Sequence, residues 1–186
     1  MAQLQNVFIV NMYYAFQDRE NLYLVMDYLS GGDLRYHICR HRRFTEEVTR
    51  KLQSFVLIFV GFFVACLVSG LEYFHEKNII HRDIKPENLV LEGDGYLRIT
   101  DFGIARVWRE ENAQDTSGTP GYMAPEVMCR QNHTTSVDYF AVGVMAYECM
   151  FGKVTIHYFL MLLSRGHMSA NHEKKSETTF FQNRSR

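Results

Sequence analysis

The first third of the chain alternates short apolar runs with polar turns. Residues 8–16 and 21–27 are rich in aromatic and β-branched side chains, and the polar residues 17–20 separate them. This pattern predicts two strands joined as a hairpin. The glycines of the sequence SGGD at 30–33 end the second strand, and Asp33 can begin a short helix that runs through Leu34.

A long apolar segment comes next. Thr45 is followed by two glutamates, which predicts a helix start because a hydroxyl can cap free backbone amides. Residues 55–68 include no polar side chain. Uninterrupted apolar runs shorter than about 18 residues more often form core helices than membrane spans, so we predict a buried helix. A membrane-tethered segment at 51–71 is the alternative, and it would appear as carbonate-resistant membrane association.

The second half of the chain changes to short strands and turns, and then to a helix. We predict strands at 79–80, 89–91 and 96–100, with a turn at 93–95. A helix is predicted from about Val137, and a polar tail after Ser169 is predicted to be disordered. The buried face of that helix is predicted from helical spacing to carry Phe140, Val144, Tyr147 and Phe151.

Composition narrows the class of protein. A chain of 186 residues that is 47% apolar can bury one core, so one globular unit is expected. Twenty basic and 21 acidic residues give no sign of a nucleic-acid-binding face. The four cysteines form no CxxC pair, which argues against zinc and disulfides. With no secretory signal at residues 1–10, we expect a cytoplasmic location.

Residues 81–88, with the sequence HRDIKPEN, resemble the catalytic loop of protein kinases. Phosphoryl transfer needs a carboxylate beside the attacking hydroxyl, a cation near the transferring group and an amide oxygen for Mg²⁺. Asp83, Lys85 and Asn88 are assigned to these three roles. A lysine two residues after the aspartate resembles the serine/threonine branch of the family.

Two further segments resemble the same family. Residues 101–103 (DFG) are similar to its magnesium-binding motif, in which Asp101 would ligate the ion that bridges the phosphates. Residues 117–126 (SGTPGYMAPE) are similar to the end of an activation segment. The resemblance implies that Thr119 contacts the catalytic aspartate and lysine, and that Glu126 pairs with an arginine, for which the chain has no recognisable counterpart.

The nucleotide site is implied by a resemblance at the hinge. Residues 21–33 are similar to the strand and hinge of the AGC group, which contains the cyclic-nucleotide-dependent kinases, and residues 138–143 to the start of the central helix, whose aspartate tethers the catalytic loop. The implied nucleotide-binding residues are the gatekeeper Met26, the backbone of Asp27 and Leu29 at the adenine, Asp33 at the ribose or a basic substrate residue, and Val90 beneath the adenine, together with Lys85, Asn88 and Asp101.

A regulatory cluster is implied around Arg82. In kinases with arginine before the catalytic aspartate, a phosphorylated residue of the activation loop usually pairs with that guanidinium. Asp115 occupies the usual position of that residue. We hypothesise that its carboxylate partly replaces a phosphate, with Thr116 as the alternative modified residue and a solvated loop acid as the competing interpretation.

The resemblance covers roughly residues 4–153 and has one interruption. Joining Arg50 to Phe62 restores a continuous family helix, so residues 51–61 are interpreted as an insert. Both the insert and the divergent tail at 154–186 suggest translated intronic sequence, with genuine divergence as the alternative. Neither a Gly-rich loop nor a strand lysine paired with a helix glutamate precedes Phe8, so we expect this chain alone to be a weak catalyst.

The combined expectation is an α+β, two-lobed protein-kinase-like fold with a short N-lobe remnant at 1–153. The implied function is a serine/threonine kinase that uses ATP and Mg²⁺ to phosphorylate a protein hydroxyl, without a nucleic-acid partner. The alternative is a catalytically weak or inactive kinase-like module that binds partners. Measuring MgATP binding and phosphotransfer on the chain would separate the two.

Overall fold

The computed structural model describes residues 4–41 and 46–151, with residues 41 and 46–57 as helical backbone only. All of these residues belong to one compact unit. The expected helix cap at Thr45 and the expected disordered tail at 154–186 lie outside the described residues.

The N-terminal hairpin is confirmed, although its first strand begins later than expected. Strands β1 (Met12–Gln17) and β2 (Leu22–Met26) pair antiparallel. The prediction that this strand starts at residue 8 is wrong, because Val10 donates to the carbonyl of Ile99 at 2.9 Å and Ile99 donates to that of Phe8 at 2.9 Å. Burial favours this arrangement, since Ile9 is completely inaccessible to solvent there.

Two helices follow the hairpin. Helix α1 (Leu34–His41) begins as expected after Asp33, whose Oδ1 accepts the backbone N–H of Tyr36 at 2.8 Å. Helix α2 (Glu46–His75) is continuous through the segment interpreted as an insert, which therefore lengthens the helix.

The prediction that the apolar segment forms a buried helix holds only for its C-terminal part. Leu67, Leu71 and Phe74 are buried, whereas Ile58 is 69% and Phe59 57% exposed. Within the described ranges, one helical window, Ile58–His75, is long and apolar enough to cross a membrane, and 33% of it is buried. The buried part packs against other elements of the domain, whereas most of this window is not buried.

The remaining elements surround the turns that carry the motifs. The expected short strands are present, and a loop connects them to a short and a long helix. Their bounds are β3 (Ile79–Ile80), a 3-10 turn (Pro86–Asn88), β4 (Leu89–Leu91), β5 (Leu97–Ile99), β6 (Arg106–Val107), a 3-10 turn (Glu110–Asn112), α3 (Pro125–Met128) and α4 (Ser136–Phe151). β4 pairs with β5 and β3 with β6, both antiparallel, while α2 packs against β5 and α4. The α+β class is thus confirmed.

The predicted buried face of helix α4 is confirmed only in part. Val144 is buried and Phe140 packs against a buried cluster, whereas Tyr147 is only partly buried and Phe151 is 60% exposed. The prediction is wrong for Phe151, and it missed two buried acids that help to define the inner side. The buried residues are Val137, Asp138, Ala141, Val142, Val144, Met145 and Glu148.

Candidate active site

Four of the expected catalytic side chains form one hydrogen-bonded group. Lys85 Nζ lies 2.7 Å from Asp83 Oδ2 and 2.9 Å from Thr119 Oγ1, and Thr119 donates to Asp83 Oδ1 at 2.6 Å. Asn88 Nδ2 donates to Asp83 Oδ2 and to its backbone carbonyl, both at 2.9 Å. The 3-10 turn Pro86–Asn88 brings Asp83, Lys85 and Asn88 together, and the segment before α3 supplies Thr119.

The Asp83 carboxylate is held in its ionised form. Burial raises its pKa, but hydrogen bonds from Lys85 and Thr119, and the lysine charge, outweigh burial and leave the pKa below its ordinary value. A carboxylate that stays ionised can accept a hydrogen bond from an approaching hydroxyl.

The loop that carries Asp83 is fixed from below by Asp138. Its Oδ2 accepts the backbone N–H of His81 and its Oδ1 that of Arg82, both at 2.9 Å, and His75 Nε2 lies 2.9 Å from Oδ2. Arg82 has a φ of 70°, a left-handed conformation that is unfavourable for a side chain larger than glycine. The two bonds from Asp138 hold that conformation in place.

Asp101 lies at the same end of the β4–β5 hairpin as Asn88. Thr100 donates its backbone N–H to the carbonyl of Asn88 at 2.9 Å, so the two loops leave the hairpin side by side. Asp101 is exposed and has a φ of 59°. Phe102 packs against the rings of Phe74 and His81, with centroids 5.4 and 5.8 Å apart, which anchors the turn.

These residues fit a magnesium ion. Both hydrogen bonds of the Asn88 side chain use its nitrogen, which leaves the amide oxygen as a ligand, and the exposed Asp101 supplies a carboxylate. Mg²⁺ takes oxygen ligands and often needs only one or two from the protein. Among the described residues no cluster of three or more His, Cys, Asp or Glu could hold a metal. Asn88 and Asp101 are therefore the side chains that could hold Mg²⁺.

The expected hinge lies against β4. Gly31 donates to the carbonyl of Leu91 at 3.0 Å, Leu91 donates to that of Gly32 at 3.0 Å, and Asp33 bridges to Val90. Val90 and Leu29 are partly buried. The structure thus brings the end of the hinge, Gly31 to Asp33, to the strand that leads from the catalytic loop.

Three neighbouring side chains hold the carboxylate of Asp27. Its Oδ2 accepts Asn11 Nδ2 at 2.8 Å and pairs with Arg98 at 3.1 Å, and its Oδ1 accepts the Tyr13 hydroxyl at 2.6 Å. Burial raises the pKa of Asp27, but the Tyr13 and Asn11 hydrogen bonds and the Arg98 charge bring it below the ordinary value. Met26, the expected gatekeeper, ends β2 and is 44% exposed.

The regulatory residues also meet. Asp115 Oδ2 lies 3.6 Å from an Arg82 guanidinium nitrogen and is hydrogen bonded by Arg106. Arg82 is further fixed because its Nε donates to the carbonyl of Ile104 at 2.7 Å. Thr116 is exposed, and its hydroxyl lies 3.5 Å from the carbonyl of Val127.

A second polar group beside the site was not predicted. Arg35, Glu87, Tyr122 and Glu148 form one network, and Glu148 is only 1% exposed. No local signal in the sequence indicates Glu148, because a carboxylate normally indicates the exposed side of a helix. The partner arginine, on α1, follows from no local pattern.

Gly118 allows Thr119 to reach Asp83. Its φ is 127°, and a Cβ there would lie 2.5 Å from the carbonyl oxygen of Arg82. Gly118→Ala should destabilise the fold by about 1–3 kcal/mol through backbone strain alone, and the clash should displace Thr119. Thermal unfolding and phosphotransfer measure the two effects. Gly95→Ala is the control, since its φ is 91° with no atom within 4 Å; equal losses in both variants would contradict a role for the clash.

With this geometry established, comparison with known proteins identifies the class. The model of the protein kinase domain family matches residues 1–178, so the chain belongs to that family. The two-lobed kinase fold and the resemblance to serine/threonine kinases of the AGC group are confirmed.

Curated relatives agree with this class. The chain is 39% identical over 155 residues to a "probable serine/threonine-protein kinase" of Dictyostelium discoideum, covering 82% of the chain and 32% of the relative. It is 39% identical to ribosomal protein S6 kinase alpha-1 of Rattus norvegicus (83% and 20%). It is 37% identical to serine/threonine-protein kinase Sgk1 of Danio rerio (82% and 33%). The chain therefore spans a third or less of the length of these relatives.

Proposed function

We propose that this chain carries out serine/threonine phosphorylation with MgATP as the phosphoryl donor. The observation that supports this most directly is the shared hydrogen bonding of Asp83, Lys85 and Thr119, within 2.6 to 2.9 Å of one another. Membership of the protein kinase domain family supports the same class of reaction.

The chemistry follows from the positions of these side chains. MgATP, when bound, would supply the γ-phosphoryl group, which forms a bond to the substrate hydroxyl oxygen as its bond to ADP breaks and ADP leaves. Asp83 accepts the proton of the substrate hydroxyl, and Lys85 stabilises negative charge next to it. Asn88 and Asp101 provide oxygen atoms for the metal. Thr119 lies on the side of Asp83 where a serine or threonine hydroxyl would approach, since its own hydroxyl already donates to Oδ1.

The hinge is proposed to bind the adenine. The backbone of Asp27 and Leu29 offers the hydrogen-bonding groups, with Met26 at the inner end and Val90 below the ring. Because three neighbours hold the Asp27 carboxylate, its peptide group is kept in one orientation. Asp33 is proposed to reach the ribose or a basic substrate residue, although its Oδ1 also caps α1.

The test uses the whole chain of 186 residues. Calorimetry measures MgATP binding, and radiolabel transfer is measured with peptide mixtures centred on serine, threonine or tyrosine. We expect binding, and transfer to the first two mixtures that stops when EDTA removes Mg²⁺. MgATP binding without transfer would favour the binding module, and absence of both would overturn the proposal.

Asp115 is proposed to act as a built-in substitute for a phosphate. Asp115→Ala should lower the transfer rate about tenfold, because it removes the carboxylate that pairs with the partly buried Arg82 at 3.6 Å and accepts a hydrogen bond from Arg106, and hydrogen bonds to charged groups contribute about 1.5 kcal/mol or more. The Arg82 side chain is only 12% exposed, so water weakens its interaction with Asp115 less than it would at the surface. Initial rates of peptide phosphorylation provide the measurement.

Matched variants separate the alternatives for this loop. Asp115→Glu keeps the carboxylate and should retain most of the rate. Thr116→Ala should have little effect if Asp115 supplies the charge, whereas a large loss would favour modification of Thr116. A rate unchanged in Asp115→Ala would show that Asp115 is only a solvated acid.

A further inference from the structure

One guanidinium joins three separate segments beside the catalytic group. Arg35, on α1, donates from Nε to Glu87 Oε1 at 2.7 Å and from one terminal nitrogen to the Tyr122 hydroxyl at 2.5 Å. It also forms a bidentate pair with Glu148 on α4. The Tyr122 hydroxyl in turn donates to Glu148. The planar fork of arginine suits such a junction, which a lysine could not reproduce.

Burial makes this junction strongly dependent on its charges. The Glu148 side chain is 1% and that of Arg35 25% exposed. Burial lowers the pKa of Arg35, but hydrogen bonds to Glu148 and Glu87 outweigh it and leave the pKa raised, so the guanidinium stays charged. Burial and then Glu148 raise the pKa of Tyr122, so its hydroxyl remains a donor. A buried carboxylate without such partners would cost several kcal/mol.

The groups that Arg35 contacts adjoin the residues of the catalytic group. Tyr122 donates its backbone N–H to the carbonyl of Thr119 at 2.9 Å, so the two form one turn. Glu87 precedes Asn88 in the 3-10 turn. One side chain therefore spans the turn that presents Thr119 and the turn that presents Asn88.

We propose that Arg35 is a positioning residue that fixes the turn at 119–122, and with it the substrate hydroxyl, relative to the catalytic loop. This rests on the proposed kinase function. The competing explanation is that Arg35 only neutralises Glu148. The two explanations predict different results when the charges of Arg35 and Glu148 are both removed. Glu148 then needs no counter-charge, but Tyr122 and Glu87 still lack the guanidinium.

The experiment compares Arg35→Met, Arg35→Lys and the double variant Arg35→Met/Glu148→Gln in the whole chain. Arg40→Met is the matched control, since Arg40 lies on the same helix, is exposed and donates to the Tyr36 hydroxyl at 3.1 Å, away from the junction. Steady-state phosphorylation of the serine-centred peptide mixture gives KM for peptide and for ATP. Hydrogen exchange of the amides at 119–123 and thermal unfolding give readouts that need no activity.

For both single variants we expect KM for peptide to rise about tenfold, because peptide binding must then also order the turn at 119–122, while KM for ATP changes little. Amides at 119–123 should exchange faster. The double variant should regain thermal stability but keep the raised peptide KM and the faster exchange. Arg40→Met should resemble the unmodified chain.

Two outcomes would overturn the proposal. If the double variant restores both the peptide KM and the exchange at 119–123, Arg35 is only a counter-charge for Glu148. If Arg35→Met leaves that exchange unchanged, the guanidinium does not fix the turn. A chain that transfers no phosphate at all would contradict the kinase proposal, while the exchange comparison would still decide the role of Arg35.

Discussion

Asp83→Asn should lower the turnover number of peptide phosphorylation at least about a hundredfold, because general base catalysis contributes about 10²- to 10⁴-fold. Asparagine has nearly the same shape, so Lys85, Asn88 and Thr119 keep a polar neighbour. It cannot accept the substrate proton, and it removes the charge that pairs with Lys85 at 2.7 Å. MgATP binding should persist, since the proposed metal ligands are Asn88 and Asp101.

The comparison requires a control with the same chemical change. Asp94→Asn supplies it, because Asp94 lies in the exposed β4–β5 turn and accepts the backbone N–H of Tyr96 at 3.1 Å, a bond that an asparagine oxygen can also accept. Rates and calorimetric MgATP affinities are measured for both variants. Retention of more than about a tenth of the rate in Asp83→Asn would exclude Asp83 as a general base of this magnitude.

The catalytic group could be predicted from sequence because most of it is local. Asp83, Lys85 and Asn88 lie within six residues, so one loop and one 3-10 turn set their distances. Thr119 is 36 residues from Asp83, and only the family resemblance connected the two. The pairing of β4 with β5 likewise follows from a short turn between apolar runs.

Other features depend on partners that are distant in sequence. Residues 8–10 have the composition of a hairpin strand, yet they pair with β5 because burial of Ile9 is available there. On α4, apolar spacing predicted the buried face only in part, because Asp138 and Glu148 also point inward to basic and backbone partners. A carboxylate normally indicates the exposed side of a helix, and only its partners reveal the exception.

The composition of α2 did not determine its environment either. Its apolar run reads as uniformly buried, but the described residues change from exposed near Ile58 to buried near Leu67. The helix is continuous from Glu46 to His75, about 45 Å at 1.5 Å per residue, and its buried residues Leu67, Leu71 and Phe74 lie in its C-terminal part. The hydrophobic pattern does not limit the length of a helix. Because α2 is long, one part of it is exposed while another part is buried.

Asp138→Asn should destabilise the fold by about 2–4 kcal/mol, because it loses hydrogen bonds to a buried charged group. The carboxylate accepts the N–H groups of His81 and Arg82 with its two oxygens and also contacts His75. Asparagine offers one acceptor oxygen, and its NH₂ group would face a backbone donor. One buried amide would thus lose its partner.

The same change should reduce catalysis beyond its effect on stability. Arg82 keeps its φ of 70° against backbone strain of about 1–3 kcal/mol, and Asp138 holds it there. Relaxation of Arg82 would move the adjoining Asp83 away from Thr119. Unfolding midpoints should fall by about 10 °C, on the scale of 2–4 °C per kcal/mol for chains of this size, and peptide phosphorylation well below that midpoint should also fall. Asp94→Asn should change neither measurement appreciably. A variant with a lowered midpoint and a normal rate at low temperature would show that the catalytic loop keeps its shape without Asp138, and that this residue contributes only to stability.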